Sequence, residues 1–191
     1  MQTIRRVTQL TSALALRSKC LMKFFGTALL ACLCQLAAAD TVYQTQEDFI
    51  KETFKSEVKP AVLWLDKSTQ DELTQILGHS YPQARLRYWR KDTTSVWVLE
   101  EIGKEYPITA GFVINGDSIE RAQVLIYRET RGMEIHLPSF LAQFTSNRLA
   151  GDKLANKVDG ISGATMSTNA MIKMARVALT LNRKAAATAT P

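Results

Sequence analysis

Between Arg85 and Tyr127 many apolar residues of this chain recur at every second position, and short polar breaks divide the run. Leu86 and Tyr88 lead to Lys91-Asp92-Thr93-Thr94 and then to Val96 and Val98. Ile108, Ala110, Phe112 and Ile114 lead to Asn115-Gly116-Asp117, and Ile119 to Tyr127 follows. A period of two puts alternate side chains on opposite faces of a strand, and an Asn-Gly pair between two such runs is a strong short-range signal for a hairpin. The middle of the chain is therefore expected to form antiparallel strands, with the Asn115-Gly116 hairpin as its firmest element.

Helical patterns flank this block. Thr45 caps a short amphipathic helix, with Asp48 three residues on and Phe49, Ile50 and Phe54 at helical spacing. Ala61 to Leu65 reads as a strand, and Ser68 to Leu77 as a capped helix that buries Leu73, Ile76 and Leu77 and ends at Gly78. Pro138 to Phe144 is expected to be a short helix. From Met166 to Leu181, Ala170, Met171, Met174, Val177 and Ala178 keep helical spacing, which predicts a final helix with one inward face. The fold class that follows is α+β: a single domain with a central antiparallel sheet and helices at both ends.

Residues 1–39 have the composition of a targeting segment. Lys19 and Lys23 precede an apolar run from Phe24, and Ala37-Ala38-Ala39 provide small residues for cleavage before Asp40. The expectation is a secretory signal peptide, with translation starting at Met22. Leu29-Leu30-Ala31-Cys32 also resembles a bacterial lipobox, which would lipidate Cys32, and an uncleaved segment would act as a membrane anchor. The apolar run is short for a span and is broken by Gln35, so cleavage ranks first, lipidation second and anchoring third. An extracytoplasmic, periplasmic protein is expected.

Setting the leader aside changes the chemistry that remains. The chain has 24 Lys and Arg against 18 Asp and Glu. Five of the bases (Arg5, Arg6, Arg17, Lys19 and Lys23) lie in the leader with no acid, which leaves 19 bases against all 18 acids. The basic character belongs to the leader, so no nucleic-acid partner is expected. Arg85 to Lys91 interleaves bases and aromatics, but a half-exposed strand accounts for that pattern. Cys20, Cys32 and Cys34 are also in the leader. Residues 40–184 therefore offer no disulfide, thiolate nucleophile, iron-sulfur ligand or haem attachment. His79 and His136 are the two histidines and stand far apart in sequence with no carboxylate cluster at ligand spacing, so no metal site is expected. Ser162 lacks the Gly-x-Ser-x-Gly frame of a hydrolase. The Ala/Thr-rich stretch 185–191 reads as a frayed or disordered tail.

The motif that carries chemistry is Asp159-Gly160-Ile161-Ser162-Gly163-Ala164-Thr165, at the start of the last helix. The small residues Gly163 and Ala164 leave the backbone beside Thr165 lightly shielded. A threonine at a helix N-terminus also sits among unpaired N–H groups, which favour a phosphate. A simpler reading takes Ser162, Thr165 or Ser167 as an ordinary N-cap. That accounts for the hydroxyls but not for the upstream Asp159 combined with Gly-Ala-Thr.

This stretch resembles the Asp-x-x-Ser/Thr-Gly-Ala-Thr motif of the FMN-binding domain family, found in the C subunit of sodium-translocating NADH:quinone oxidoreductase and the G subunit of the Rnf complex. Five specified positions match, which chance would produce in roughly one chain of this length in a few thousand. The resemblance implies that FMN is esterified through its phosphate to Thr165. It also implies that Asp159 is recognised by a flavin transferase. It extends to Glu129-Thr130-Arg131-Gly132, which stands where the family has Glu-Thr-Pro-Gly, with arginine replacing proline. Over residues 106–182 the resemblance is strongest, within a domain spanning 40–184. The cofactor-binding residues it implies are Thr165, Asp159, Ser162, Gly163, Ala164, Glu129, Thr130 and Gly132.

The function expected is an extracytoplasmic electron carrier rather than a complete enzyme. Covalent FMN would pass electrons from a membrane-bound redox donor to a downstream redox protein, after maturation by the flavin transferase. The alternative is an accessory module that keeps the fold without the flavin. Trp64, Trp89 and Trp97 are candidates for stacking on the ring, although strand packing explains such residues more simply. His136, just past the Glu-Thr-x-Gly segment, is a candidate for tuning it.

Overall fold

The alternating block folds as four consecutive antiparallel strands in a computed structural model that describes residues 40–189. They are β3 (Arg85–Lys91), β4 (Thr94–Ile102), β5 (Pro107–Asn115) and β6 (Ser118–Tyr127). β1 (Thr41–Val42) pairs with β6 and β2 (Ala61–Trp64) with β3, which gives a six-stranded sheet in the order β1-β6-β5-β4-β3-β2. The turns are where the sequence puts them. Asp92 takes a left-handed φ of 52° in the β3–β4 turn, and Gly116 takes 62° in the β5–β6 turn. The helices are α1 (Gln46–Phe54), α2 (Lys67–Leu77), the short α3 (Pro138–Leu141) and α4 (Thr165–Ala189). A two-stranded ribbon, β7 (Leu149–Ala150) with β8 (Lys153–Leu154), precedes α4.

Both faces of the sheet are covered, which is why β5 is buried on either side rather than half-exposed. Ile108, Ala110, Phe112 and Ile114 face α4, where Met171, Met174, Ala178 and Leu181 complete the main core. The intervening side of β5 faces α1, whose Phe49, Ile50 and Phe54 pack on Trp89, Val96, Val113 and Leu125. Burying each of these side chains contributes about 1.5–3 kcal/mol. Gly111 makes α1 docking feasible: a Cβ there would lie 2.5 Å from the Phe49 ring.

The capping chemistry is as the sequence indicates, with small shifts. Thr45 accepts from Asp48 N at 3.1 Å to start α1. α2 starts one residue earlier than expected, at Lys67, and Asp66 supplies its cap, accepting from Thr69 N at 2.8 Å. Gly78 ends α2 at φ 81°. One boundary is corrected. Ala185 to Ala189, expected in a frayed tail, continue α4, with Ala185 fully buried. Alanine has the highest helix propensity, and tertiary packing of Ala185 extends the helix past its last large apolar residue. The leader, residues 1–39, lies outside the described residues.

Among the tryptophans, Trp97 is fully buried and stacks on Tyr88 at 4.6 Å, and Trp89 lies in the α1 layer. Both are packing residues. Trp64 is exposed on the edge strand beneath the Arg85 guanidinium. The Arg85–Lys91 segment alternates as a strand, with Leu86 and Tyr88 buried and Arg85 and Arg87 exposed.

Candidate functional site

The chain reaches Thr165 through a built turn. Ala164 N–H donates to Ile161 O at 3.0 Å, Gly163 adopts a left-handed φ of 83°, and Ala164 O accepts the first helical bond from Thr168 N at 2.9 Å. Ala164 thus occupies the N-cap and Thr165 the first helical position. This corrects the ordinary-cap reading. Ala164 has no side-chain oxygen to satisfy the first N–H groups, and Ser167 is buried and engaged elsewhere. Thr165 is exposed, as are Ser162 and Gly163, and the space where a Gly163 side chain would stand is open.

Ala164, unlike Gly163, is not open to solvent. It is 2% exposed, and its methyl is the packing surface for Gly132. A Cβ on Gly132 would lie 3.1 Å from Ala164 Cβ, 3.1 Å from Ser167 Oγ and 3.0 Å from Tyr127 Oη. Gly132 also has φ 85°, a conformation that excludes most side chains. The two motifs, distant in sequence, are therefore pressed together, with the Glu129–Gly132 loop lying against the first turn of α4.

Tyr127 locks that contact. Its hydroxyl donates to Arg131 O at 2.5 Å and lies 3.1 Å from Ser167 Oγ, bridging the loop to α4. Burial raises its pKa, partly offset by the Ser167 bond, which keeps the hydroxyl protonated as a donor. Neither Tyr127 nor Ser167 was singled out for this role in the sequence. Tyr127 ends a strand as an ordinary aromatic residue, and the pairing across 40 positions has no local signal.

Glu129 is engaged by the β4–β5 turn. Its Oε1 accepts from the backbone N–H groups of Lys104, Glu105 and Tyr106 at 2.5, 2.7 and 3.0 Å. Burial alone would raise the Glu129 pKa, but these three donors and the nearby Lys104 charge hold it below the usual carboxylate range. Glu129 thus fixes the β4–β5 turn, and Gly103 gives it room, since a Cβ there would lie 2.9 Å from Oε1. Thr130 and the Arg131 side chain are exposed. Asp159 is exposed too. Its backbone N–H donates to Gln143 Oε1 at 2.7 Å, and its carboxylate pairs with Lys157 at 3.2 Å.

The turn held by Glu129 forms one wall of a groove of about 290 Å³ beside Thr165, lined by Ile76, Ile102, Gly103, Met166, Asn169 and Lys173. Two of its lining residues, Ile102 and Met166, are exposed apolar side chains. A wider cavity of about 420 Å³ is lined by Tyr81, Arg87, Trp89 and Glu100, together with His79 and Glu101. There burial, reinforced by the Glu100 charge, pushes the Tyr81 pKa up to about 12. That cavity holds no residue of either motif. His136 stacks on Tyr43 at 4.5 Å, and its Nδ1 is engaged by Met133 O.

A clamped loop lies against a helix that begins at an exposed Thr after Asp-x-x-Ser-Gly-Ala, and residues 103–180 match the model of the FMN-binding domain family. The matched stretch begins at the β4–β5 turn and ends in α4, so it contains both motifs. Over those residues the chain resembles the FMN-binding domain family. Among solved structures, the chain is similar to the crystal structure of Shewanella oneidensis NqrC, with a TM-score of 0.51 and 17% identity over 75% of this chain and 90% of that one. That likeness establishes a shared fold. No curated protein matches the chain.

Proposed function

We propose that this protein is an extracytoplasmic electron carrier whose FMN is esterified through phosphate to Thr165. The observation that carries the reading is the exposed Thr165 at the first position of a helix whose cap, Ala164, has no side-chain acceptor. The first-turn N–H groups are left for an anion, and the positive end of the helix dipole favours one there.

The residues present fit the group in three further respects. Gly163 leaves open space beside the hydroxyl that a modifying enzyme must reach. The groove at Met166 offers apolar walls next to the attachment point, and its volume falls just short of the ~300–1,000 Å³ typical of ligand pockets. Thr168 Oγ1, buried in the first turn of α4, has no protein partner and is a polar group left over by the packing.

The flavin supplies reversible electron transfer when bound. The chain's own residues position it. Thr165 provides the ester oxygen, the α4 N-terminus steadies the phosphate, and the Tyr127–Arg131–Ser167 contacts hold the neighbouring loop in one place. Glu129 acts one step back, by fixing the turn that walls the groove. A flavin transferase would attach the FMN, aided by recognition of Asp159. A membrane-bound donor and a downstream redox protein would complete the electron path. A tethered cofactor suits an extracytoplasmic setting, because an ester-linked flavin cannot dissociate.

The test is the intact mass of the exported protein from cells that contain an active flavin transferase, compared with Thr165→Ala. The expected result is an added mass of FMN less one water that disappears in the variant. An unmodified wild-type chain alongside a control substrate that is modified would rule out the carrier and leave an accessory module.

A further inference from the structure

Lys173 lies on the same face of α4 as Thr165 and Asn169, because positions four apart stack along a helix. Two such steps advance about 12 Å along the axis. Asn169 and Lys173 both wall the groove that opens at Met166. Lys173 is held there from beneath. Its Nζ donates to Leu77 O at 2.5 Å, at the end of α2, and lies 3.4 Å from Glu101 Oε1. The Glu101 side chain is only 5% exposed, and His79 Nε2 stands 3.0 Å from its other oxygen.

Glu101 is out of keeping with its strand. The inward positions of β4 run Trp97, Leu99 and then Glu101, so alternation calls for another apolar residue. Burying a carboxylate costs several kcal/mol of desolvation, and an apolar residue in its place is often neutral or stabilising. Stability alone therefore does not explain it. What the carboxylate does accomplish is to hold the ammonium group of Lys173, whose side chain is 35% exposed, at the wall of the groove. Arg176, the other base lining the groove, is turned to Asp152 O at 2.6 Å.

We propose that Lys173 is the charge that sets the reduction potential of the flavin, with Glu101 and His79 as the residues that position it. This rests on the flavin reading above. Two electrons and one proton, supplied by a reductant and by water, leave the reduced ring with one more negative charge than the oxidised ring. A cation in the groove favours that charge, and the Glu101 carboxylate moderates the cation. Removing Lys173 and neutralising Glu101 therefore shift the potential in opposite directions. A purely structural ion pair would make both variants alike, through lost folding or lost loading.

The experiment titrates covalently loaded wild type, Lys173→Met, Lys173→Arg and Glu101→Gln with dithionite against reference dyes. Intact mass establishes loading and thermal denaturation establishes folding for each. Lys173→Met is expected to weaken the reduced state about tenfold, or about 30 mV more negative for a two-electron couple. Glu101→Gln should move the potential positive, and Lys173→Arg should stay near wild type. Loaded, folded Lys173→Met and Glu101→Gln that keep the wild-type potential, or shift in the same direction, overturn the proposal while leaving the flavin reading intact. A wild-type chain that never gains the flavin mass overturns both.

Discussion

Gly132 and Ala164 are packed so closely that a methyl group on the glycine would sit 3.1 Å from the alanine's own methyl. The contact joins the loop after β6 to the start of α4, and the position of Thr165 relative to the sheet depends on it.

Gly132→Ala is expected to destabilise the protein. The left-handed φ of 85° costs about 1–3 kcal/mol for a non-glycine residue, and the crowding against Ala164 adds to it. Urea unfolding of the two proteins measures the difference. Equal midpoints would mean the loop is free to back away from α4.

Thr165→Ala is expected to leave stability within about 0.5 kcal/mol of wild type, because the side chain is exposed and caps nothing. Thermal denaturation of the unloaded proteins checks this. A large loss would assign the hydroxyl a structural role.

Glu129→Gln removes a charged acceptor from three N–H groups and is expected to cost about 1.5–3 kcal/mol. The folded pKa lies below the unfolded one, so the contribution is fully present above the unfolded value of about 4.3 and is lost as pH falls through the folded value. The stability gap between wild type and variant should therefore close only at acid pH. A gap that is flat from neutral to strongly acid pH would contradict the assignment.

Asn182 is buried at 5% exposure and ties three elements together. Its Oδ1 accepts from Arg90 Nη2 at 2.7 Å and Ser95 Oγ at 2.8 Å, and its Nδ2 donates to Gly116 O at 2.9 Å. Asn182→Ala leaves those groups unpaired and is expected to cost about 2–4 kcal/mol. Chemical denaturation gives the value, and a cost near zero would show that water replaces the amide.

Gly111→Ala drives a Cβ into the Phe49 ring and is expected to cost about 1–3 kcal/mol by overpacking. Phe49→Leu in the same background should recover part of that loss. A double variant no better than the sum of its parts would place the strain elsewhere.

Much of this protein was determined locally and so could be read along the chain. The alternation from Arg85 to Tyr127 specifies strands, Asn115-Gly116 and Asp92 specify their turns, and Thr45 and Gly78 mark helix ends, because each depends on the backbone preferences of a few adjacent residues. The Asp159–Thr165 motif is contiguous, and its resemblance to a family pattern makes it legible. What only the tertiary structure decided is which residues meet. Glu129, read as a cofactor contact, holds the β4–β5 turn, and Ala164, read as an opening, is a buried packing surface. Tyr127 meets Ser167, and Glu101 meets Lys173 and His79, across separations at which no periodicity operates. Those pairings follow from stacking α4 antiparallel along β4, a choice made by burying a whole helix face at once rather than by any one residue.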